Sequence, residues 1–314
     1  MRLWDIRGKN RIFQLTGEEI LVMTRWFGVL SIMAAWLIST ALALEPGDDF
    51  SDCPDCPVMV VVPAGMFTMG SPTSENLRAD DEGPQHSVTI SKAFAVGKFE
   101  ITKGQYAVFM LDTNHDPGEG CYVWRDSKFS KDVTANWSNP GYKQNDREPV
   151  ACVNWNDAQS YVAWLSNKTG KHYRLLTEAE WEFAARAGTV TAFWFGETIT
   201  TSQANFRGAV TDNGSSEEGS RGRTIDVGSF PPNNFGLYDI HGNITEWIED
   251  CWNDSYTDGP RNEAARSSGD CNRRMLRGGS WQDQPMHVRS ADRLRYNPDS
   301  RNSYIGFRIA RALD

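Results

Sequence analysis

The chain has 314 residues and is acidic, with 32 lysine and arginine residues against 41 aspartate and glutamate residues and a formal net charge of −9. This length accommodates one large domain or two of ordinary size. The acidic balance excludes the basic footprint typical of nucleic-acid-binding proteins, and hydrophobic residues at 39% are enough to form a buried core. The 27 glycines favour a loop-rich domain over a helical bundle, because glycine destabilises helices.

The N-terminus contains an uncharged apolar run at residues 26–43, which follows Arg25 and ends in an Ala-Leu-Ala site. A basic residue, an apolar stretch and a small-x-small site together indicate a secretory signal peptide. We therefore predict that residues 1–43 are removed by cleavage after Ala43 and that the product is secreted or periplasmic. The segment before Met23 is too acidic for an ordinary signal, so we expect translation to start at Met23. An uncleaved anchor is the alternative, although the run is of marginal length for spanning a bilayer, and no later segment is apolar enough to span one.

The cysteines of the sequence all lie beyond this segment. They are Cys53, Cys56, Cys121, Cys152, Cys251 and Cys271. An even number of cysteines in an exported protein predicts disulfide bonds, although six cysteines allow 15 pairings. We expect Cys121–Cys152 and Cys251–Cys271, because each of these pairs flanks one polar loop segment.

The remaining two cysteines form a Cys-x-x-Cys motif at residues 53–56, within a short acidic linker at residues 44–56. A redox centre of this kind needs a thioredoxin-like setting in which the second cysteine lies in a helix, but Pro57 and a strand-like apolar run follow here. A metal site needs a second pair of ligands at matching spacing, which the sequence lacks. A local disulfide is therefore the favoured interpretation.

Apolar and turn-forming residues predict strands at residues 57–62, 66–70, 86–90 and 94–101. Three helices are expected after them. The first follows Thr102 and carries apolar residues at helical spacing. The second is capped by Asn156 and ends at Gly170, and the third begins with a capping box at Thr177 and ends at Gly188.

The long polar stretch at residues 112–148 contains Cys121 and two tryptophans, so we expect an ordered loop held in place by packing. From residue 189 onward Gly, Asn, Pro and Asp dominate, with short strand-like pieces between them. Two main helices, the second and the third, among many short strands and loops predict a loop-rich α+β fold. We expect one domain at residues 57–314.

Five segments of the sequence form a recognisable series. They are residues 59–70, residues 173–182, residues 234–243 with Glu246-Trp247, the Arg-Gly-Gly-Ser-Trp motif at 277–281, and the Ile-Gly-Phe-Arg motif at 305–308. In type and order these segments resemble the formylglycine-generating enzyme (sulfatase-modifying factor) superfamily. The resemblance implies a single domain with a variant C-type-lectin-like fold, often stabilised by calcium. For the enzymatic branch it implies oxidation of a substrate cysteine to formylglycine by O₂, with copper(I) held by two thiolates, the soft ligands that suit this ion.

The chain departs from the family at the copper site. The family's two copper-binding cysteines follow the Gly-Gly-Ser-aromatic motif, whereas residues 282–290 of this chain contain no cysteine. We therefore expect that copper is not a cofactor and that the chain does not generate formylglycine by this route. Asp283, Met286 and His287 are substitute metal or ligand candidates in this stretch, but one histidine in one loop is more typical of an ordinary surface loop.

The resemblance also implies a calcium site around the Gly-Asn turn. Its ligands would be Asp239, the backbone carbonyls of Gly242 and Ile244, and Glu246. Hard oxygen ligands from one tight loop suit Ca²⁺, and we expect a structural role for the ion; the alternative is that Glu246 caps the turn or pairs with an arginine. A second family site would start at Asn205, but residues 217–223 offer no evident aspartate partner.

A ligand cleft is expected in the region 282–304. We expect Trp281, Arg289, Arg293 and Arg295 to lie beside it, with ion pairing to the surplus carboxylates as the alternative for the arginines. No catalytic residue can be assigned, because no histidine has neighbours that indicate a triad.

Three functions are consistent with these patterns. The first is an exported accessory or binding domain that recognises a peptide, a glycan or a partner protein. The second is an oxidoreductase of the superfamily that acts on another substrate, such as a siderophore chromophore or another small molecule, without the cysteine pair. The third is formylglycine generation, which the missing thiols oppose. A deep polar pocket at residues 282–304 would favour the second function and a shallow aromatic surface the first, because the chemistry of the site decides function.

Overall fold

The computed structural model describes residues 44–125, 128–208 and 220–313. The predicted signal peptide at residues 1–43 lies outside them. The residues from Glu45 onward form one compact unit. Within the described ranges, no helix combines the length and the apolar composition needed to cross a bilayer.

Short strands make up most of the regular structure. In chain order the described strands are β1 (Asp49–Phe50), β2 (Met59–Val62), β3 (Gly65–Met69), β4 (His86–Ile90), β5 (Phe94–Gly97), β6 (Cys121–Arg125), β7 (Lys128–Asp132), β8 (Tyr173–Leu175), β9 (Thr245–Trp252), β10 (Asp270–Arg277), β11 (Leu294–Tyr296), β12 (Ile305–Phe307) and β13 (Ile309–Ala312). Many short strands and few helices confirm the predicted α+β class.

The largest sheet is antiparallel, with the order β1-β2-β5-β13-β8. Its second strand, β2, is buried along its whole length, as expected for an apolar run in a sheet covered on both faces. Residues 44–56, which we expected to be a linker, include β1, in which Asp49 pairs with Val60 and Phe50 with Met59. That segment therefore contributes an edge strand to the sheet.

A four-stranded sheet has the order β11-β10-β9-β12, and β12 runs parallel to β9. Two hairpins, β3–β4 and β6–β7, complete the described strands. The second hairpin lies in residues 112–148, which we expected to be a loop. Its alternation of buried Cys121 and Val123 with exposed Tyr122 and Trp124 is typical of a half-buried strand.

Three helices are described: α1 (Lys103–Thr113), α2 (Trp155–Thr169) and α3 (Glu178–Arg186). Each begins with a reciprocal capping box, formed by Thr102 with Gln105, Asn154 with Asp157, and Thr177 with Glu180. The prediction of Asn156 as the cap of α2 was wrong by two residues. Asn154 caps this helix because its side chain accepts the amide of Asp157, whose carboxylate accepts the amide of Asn154 in return.

The core consists of two main apolar clusters, each containing one completely buried tryptophan. Trp247 lies in the cluster covered by α1 and α2, and Trp181 of α3 lies in the other. A buried indole N–H needs an acceptor. The N–H of Trp247 donates to the Val153 carbonyl at 3.0 Å, and that of Trp181 donates to Glu246 Oε2 at 2.7 Å.

All three expected disulfides are confirmed. Cys53 pairs with Cys56, Cys121 with Cys152, and Cys251 with Cys271. Because the sequence has six cysteines, these bonds account for every one of them. No thiol therefore remains in the chain to act as a soft metal ligand.

Candidate functional site

The Gly-Gly-Ser motif forms a tight turn at the end of β10. Gly278 and Gly279 have φ angles of 90° and 62°, and a Cβ at Gly279 would lie 2.3 Å from the His287 carbonyl oxygen. Only glycine allows this approach. It brings the turn at residues 285–288 against the end of β10.

The three substitute metal candidates of this stretch face different partners. Asp283 Oδ2 accepts the backbone amide and the hydroxyl of Ser280, at 2.9 and 2.6 Å. His287 Nδ1 lies 3.4 Å from Asp292 Oδ1, and this contact raises the pKa of the imidazole. Met286 lines a cavity on the other side of the turn. The described residues include no group of three or more histidine, cysteine or acidic side chains placed to hold a metal ion.

That cavity has a volume of about 550 Å³. Three segments line it: residues 72–77, residues 190–199 and residues 285–289. The lining combines the apolar side chains of Phe193, Ile199 and Met286 with a few polar groups. This size and composition are typical of sites for small molecules, which occupy roughly 300–1,000 Å³.

Arg289 is the one residue of the expected ligand cleft that lines the cavity. Trp281 is buried and packs edge-to-face on Tyr142, with ring centroids 5.7 Å apart. The guanidinium groups of Arg293 and Arg295 lie over the ring of Trp252. The other three side chains make their contacts away from this cavity, and Arg295 lines a second one with Tyr296, Asn297 and Ser300, so a shared ligand cleft for all four residues stays a prediction.

Arg289 is held rigidly by groups of the cavity wall. Its Nη1 donates to Glu75 Oε1 at 2.5 Å and to Glu82 Oε2 at 2.9 Å, and its Nη2 donates to Glu82 Oε1 at 2.5 Å. The Met286 and Leu77 carbonyls accept its remaining N–H groups. Burial raises the pKa of Glu75 above its usual value. No sequence pattern signals these contacts, because Arg289 is more than 200 residues from both glutamates.

His241 lies behind the cavity and is neutral. Its Nε2 accepts the amide of Trp194 at 3.2 Å, so Nδ1 carries the proton and donates to the Val288 carbonyl at 2.8 Å. Burial lowers the pKa of this imidazole to about 3. The histidine thus joins residues 192–195 to the turn at 285–288 and holds two walls of the cavity together.

A layer of matched ion pairs surrounds α3. Glu182 Oε1 accepts the Gly70 amide at 2.8 Å and Arg186 Nε at 2.9 Å, and its Oε2 accepts Arg277. Glu178 accepts two bonds from Arg293, at 2.7 and 3.1 Å. We call these five side chains the ion-pair layer; each of its charges lies beside an opposite charge.

The predicted calcium ligands are only partly supported by the geometry. Both oxygens of Glu246 are used: Oε1 accepts Arg308 Nε at 2.9 Å and Oε2 accepts the Trp181 indole. Glu246 thus pairs with an arginine, which was the alternative to its role as a calcium ligand. Gly242 lies against the Asn205 backbone, where a Cβ would be 2.3 Å from the Asn205 carbonyl oxygen, and Ile244 is buried.

Asp239 lies instead beside a buried network of Asn205, Asn243 and Glu100, because its charge raises the pKa of Glu100. We call these four residues the polar centre. Asn243 accepts a bond from Asn205 Nδ2 at 3.0 Å and donates to Glu100 Oε1 at 3.1 Å. Asp239 Oδ2 accepts the Gly228 amide at 2.6 Å. Asn205 also donates to the Arg223 carbonyl at 2.9 Å, while residues 217–219 of the expected second calcium site lie outside the described ranges.

Three buried oxygens of the polar centre have no hydrogen-bond donor among the residues that the structure describes: Asn205 Oδ1, Glu100 Oε2 and Asp239 Oδ1. The Arg308 guanidinium lies 3.9 Å from Glu100 Oε2 but donates to Glu246 and to the Gly97 and Tyr238 carbonyls. Burial, and then the Asp239 charge, raises the pKa of Glu100, and burial raises the pKa of Asp239 to about 6. Sequence reasoning missed Glu100, although a lone acid between two apolar residues at the end of a predicted strand was a signal.

Comparison with known proteins places this geometry in a family context. Residues 47–313 match the family described as "Sulfatase-modifying factor enzyme 1-like domain". The mouse protein "Inactive C-alpha-formylglycine-generating enzyme 2" is 29% identical, over 89% of this chain and 92% of its own length. The "Formylglycine-generating enzyme" of Thermomonospora curvata is 31% identical, over 80% of this chain and 92% of its own length.

Among solved structures, PvdO from Pseudomonas aeruginosa superposes with a TM-score of 0.76 and 41% sequence identity, covering 86% of this chain and all of PvdO. The predicted formylglycine-generating-enzyme-like, variant C-type-lectin-like fold is thereby confirmed. The relatives include proteins named as active and as inactive enzymes, so the fold alone does not decide the activity.

Proposed function

Because this chain belongs to the sulfatase-modifying factor enzyme 1-like family, we propose that it is an exported protein that uses the family fold to bind a small organic molecule. The binding site is the cavity between residues 72–77, 190–199 and 285–289. The observation that carries this proposal is the concave, partly apolar cavity of about 550 Å³ beside the turn at which the family holds its copper ligands.

Formylglycine generation with copper is not part of this proposal. Copper(I) needs soft ligands, and every cysteine of this chain is bound in a disulfide. The sequence placed a peptide, a glycan or a partner protein first among the ligands. A concave cavity with a rigid, buried Arg289–Glu82 ion pair in its wall supports a small molecule instead.

The likeness to PvdO favours one refinement. An identity of 41% over the whole of that protein supports a ligand common to both proteins. If the chain is also an oxidoreductase, this molecule is its substrate, and its oxidation would need an external oxidant such as O₂ without a copper ion held by thiolates of the chain.

Affinity selection tests the proposal. The purified protein is incubated with a small-molecule extract of bacterial cells, separated by gel filtration and analysed by mass spectrometry for retained compounds. We expect one compound to be retained by this chain and by PvdO. Val190→Trp, at an exposed position of the cavity rim, should prevent retention, whereas Val133→Trp, at an exposed position of another loop, should not. Equal retention by both variants would contradict the proposal.

We also propose a structural calcium ion at the polar centre. The three oxygens without donors, on Asn205, Glu100 and Asp239, are hard ligands of the type that Ca²⁺ takes. In this proposed set of ligands, Glu100 takes the place of Glu246, because both oxygens of Glu246 already accept hydrogen bonds from Arg308 and Trp181. The carboxylates of Glu100, Asp239 and Glu246 all lie near Arg308. This region therefore has an excess of negative charge, which a cation would neutralise.

Export is proposed from the apolar run at residues 26–43 and supported by three disulfides, which form in oxidising compartments. N-terminal sequencing of the exported protein should give a sequence that starts at Leu44.

A further inference from the structure

The charged groups of the cavity divide into those that are already neutralised and those that remain available to a ligand. Three charged residues line it: Glu75, Glu197 and Arg289. Which of them can serve a ligand decides the chemical class of the molecule that fits.

Arg289 is not available. A guanidinium has five N–H groups, and here Nε donates to Met286 O at 2.9 Å, Nη1 to Glu75 and Glu82, and Nη2 to Leu77 O and Glu82. Its side chain is only 4% exposed. An anionic ligand would have to displace one of these bonds, so the single cation of the wall does not form an anion site.

Glu82 balances the charge of Arg289 on its own. It accepts two bonds from the guanidinium and further bonds from the Ser71 hydroxyl and the Ala79 amide. Glu75 accepts one bond from the same guanidinium at 2.5 Å, so Glu75 and Glu82 together carry one more negative charge than Arg289 neutralises. The Glu75 side chain is only 6% exposed, and burial is the largest influence on its pKa. A buried surplus charge is costly unless an opposite charge approaches it.

The second carboxylate, Glu197, is exposed at the rim of the cavity. Its Oε2 has only a long contact with the Ala192 amide, at 3.4 Å. The uncharged part of the lining combines apolar side chains, including Phe193, Ile199 and Met286, with the polar side chains of Ser74, Asn76 and Thr198. The cavity therefore presents negative charge beside aromatic and aliphatic surface.

We infer that the molecule bound in this cavity is an organic cation, with a protonated amine or guanidinium group that pairs with Glu75 and Glu197 and an apolar or aromatic body that packs on Phe193. This inference rests on the proposed small-molecule function and specifies its substrate class. An aromatic face also attracts a cation electrostatically, so Phe193 and the carboxylates favour the same class of ligand.

Three probes of matched shape test the inference: phenethylamine, which is a cation, 2-phenylethanol, which is neutral, and 3-phenylpropanoate, which is an anion. Binding of each is measured by NMR titration of the complete exported chain. We expect the amine to bind about tenfold more tightly than the alcohol, a difference that corresponds to about 1.4 kcal/mol. The anion should bind more weakly than both.

Variants locate the effect. Glu197→Gln should reduce the preference for the amine over the alcohol by about threefold or more without unfolding the chain, because Glu197 is exposed. Glu45→Gln, an exposed position near the start of the described chain that does not line the cavity, is the matched control and should leave the preference unchanged.

The possible failures are distinct. If the alcohol or the anion binds as tightly as the amine and Val190→Trp prevents this binding, the cavity binds small molecules but the inferred class is wrong. If none of the probes binds up to its solubility, the result counts against the proposed function as well as against the inference. An equal loss of preference in Glu197→Gln and Glu45→Gln would also overturn the inference.

Discussion

The ion-pair layer and the polar centre are both buried and both rich in acidic residues, but their charges are treated differently. In the ion-pair layer, Glu182 and Glu178 each accept hydrogen bonds from arginines. In the polar centre, Glu100 and Asp239 each keep one oxygen without a donor among the described residues. The carboxylate oxygens of Glu178 and Glu182 all accept donors, although Arg277 Nε has no hydrogen-bond partner among the described residues, whereas the carboxylates of the polar centre are only partly matched.

The difference distinguishes buried polar groups that hold the fold together from buried polar groups that are available to a ligand. Buried polar groups in native proteins are nearly always hydrogen-bonded, so oxygens without donors need an explanation. In the ion-pair layer, the charges hold α3 against β10 and the turn beyond Gly70, which fixes the wall behind the cavity. In the polar centre, the same type of residue is left as a potential metal ligand.

The largest loss of stability should follow from a substitution in the ion-pair layer. Arg277→Met leaves Glu182 and Glu178 short of a buried positive charge, and removal of one partner of a buried pair costs about 3–5 kcal/mol. Urea unfolding measures the loss. Arg125→Met, which removes an exposed pair with Asp132, should cost no more than about 1 kcal/mol. Similar losses in both variants would contradict a structural role for the layer.

Binding of calcium at the polar centre should stabilise the fold. At a free concentration about 100 times its dissociation constant, the ion should raise the free energy of unfolding by about 2.7 kcal/mol. Asp239→Asn should remove most of this increase. Asp258→Asn is a matched control, because Asp258 is exposed and its φ of 59° is close to the 56° of Asp239. An unchanged melting temperature on addition of excess chelator would count against the ion.

The polar centre should also make the stability of the calcium-free protein depend on pH. The pKa of Asp239 is raised from 3.8 to about 6 in the fold, so the folded state holds more protons than the unfolded state between these values. Stability should therefore fall as the pH rises from about 4 to about 6, by about 2 kcal/mol for this group. Urea unfolding at pH 4.5 and pH 7 in chelator measures the change.

Asp239→Asn removes that titration. The free energy of unfolding of the variant, relative to that of the parent protein, should therefore be higher at pH 7 than at pH 4.5. With saturating calcium the dependence should reverse, because the ion competes with protons for the carboxylate. A difference between variant and parent that is the same at both pH values would contradict the assigned pKa.

Local features were readable from the sequence, and long-range contacts were not. The capping box at Thr177 and the disulfide pairs follow from residues that are near one another along the chain or that flank one segment. Glu100 could not be assigned to the polar centre, because it meets Asn243 across 143 residues. The contact of Arg289 with Glu82 spans 207 residues, and no spacing rule connects such positions.

The two interpretations of Glu246 were left open by the sequence for the same reason. The Gly-Asn turn places this glutamate as the family resemblance implies, but Arg308 and Trp181 reach it from distant strands and helices. The choice between a metal ligand and an ion-pair partner depends on those two side chains, which only the folded structure brings together.

The central claim is that the family scaffold is retained in this chain without the copper chemistry. The most direct test is mass spectrometry of a Cys-x-Pro-x-Arg peptide incubated with the purified protein, copper(I) and O₂, with the Thermomonospora curvata enzyme as a positive control. We predict that the control converts the cysteine to formylglycine while this chain leaves the peptide unmodified. Conversion of the peptide by this chain, at a rate above that of free copper, would contradict the claim.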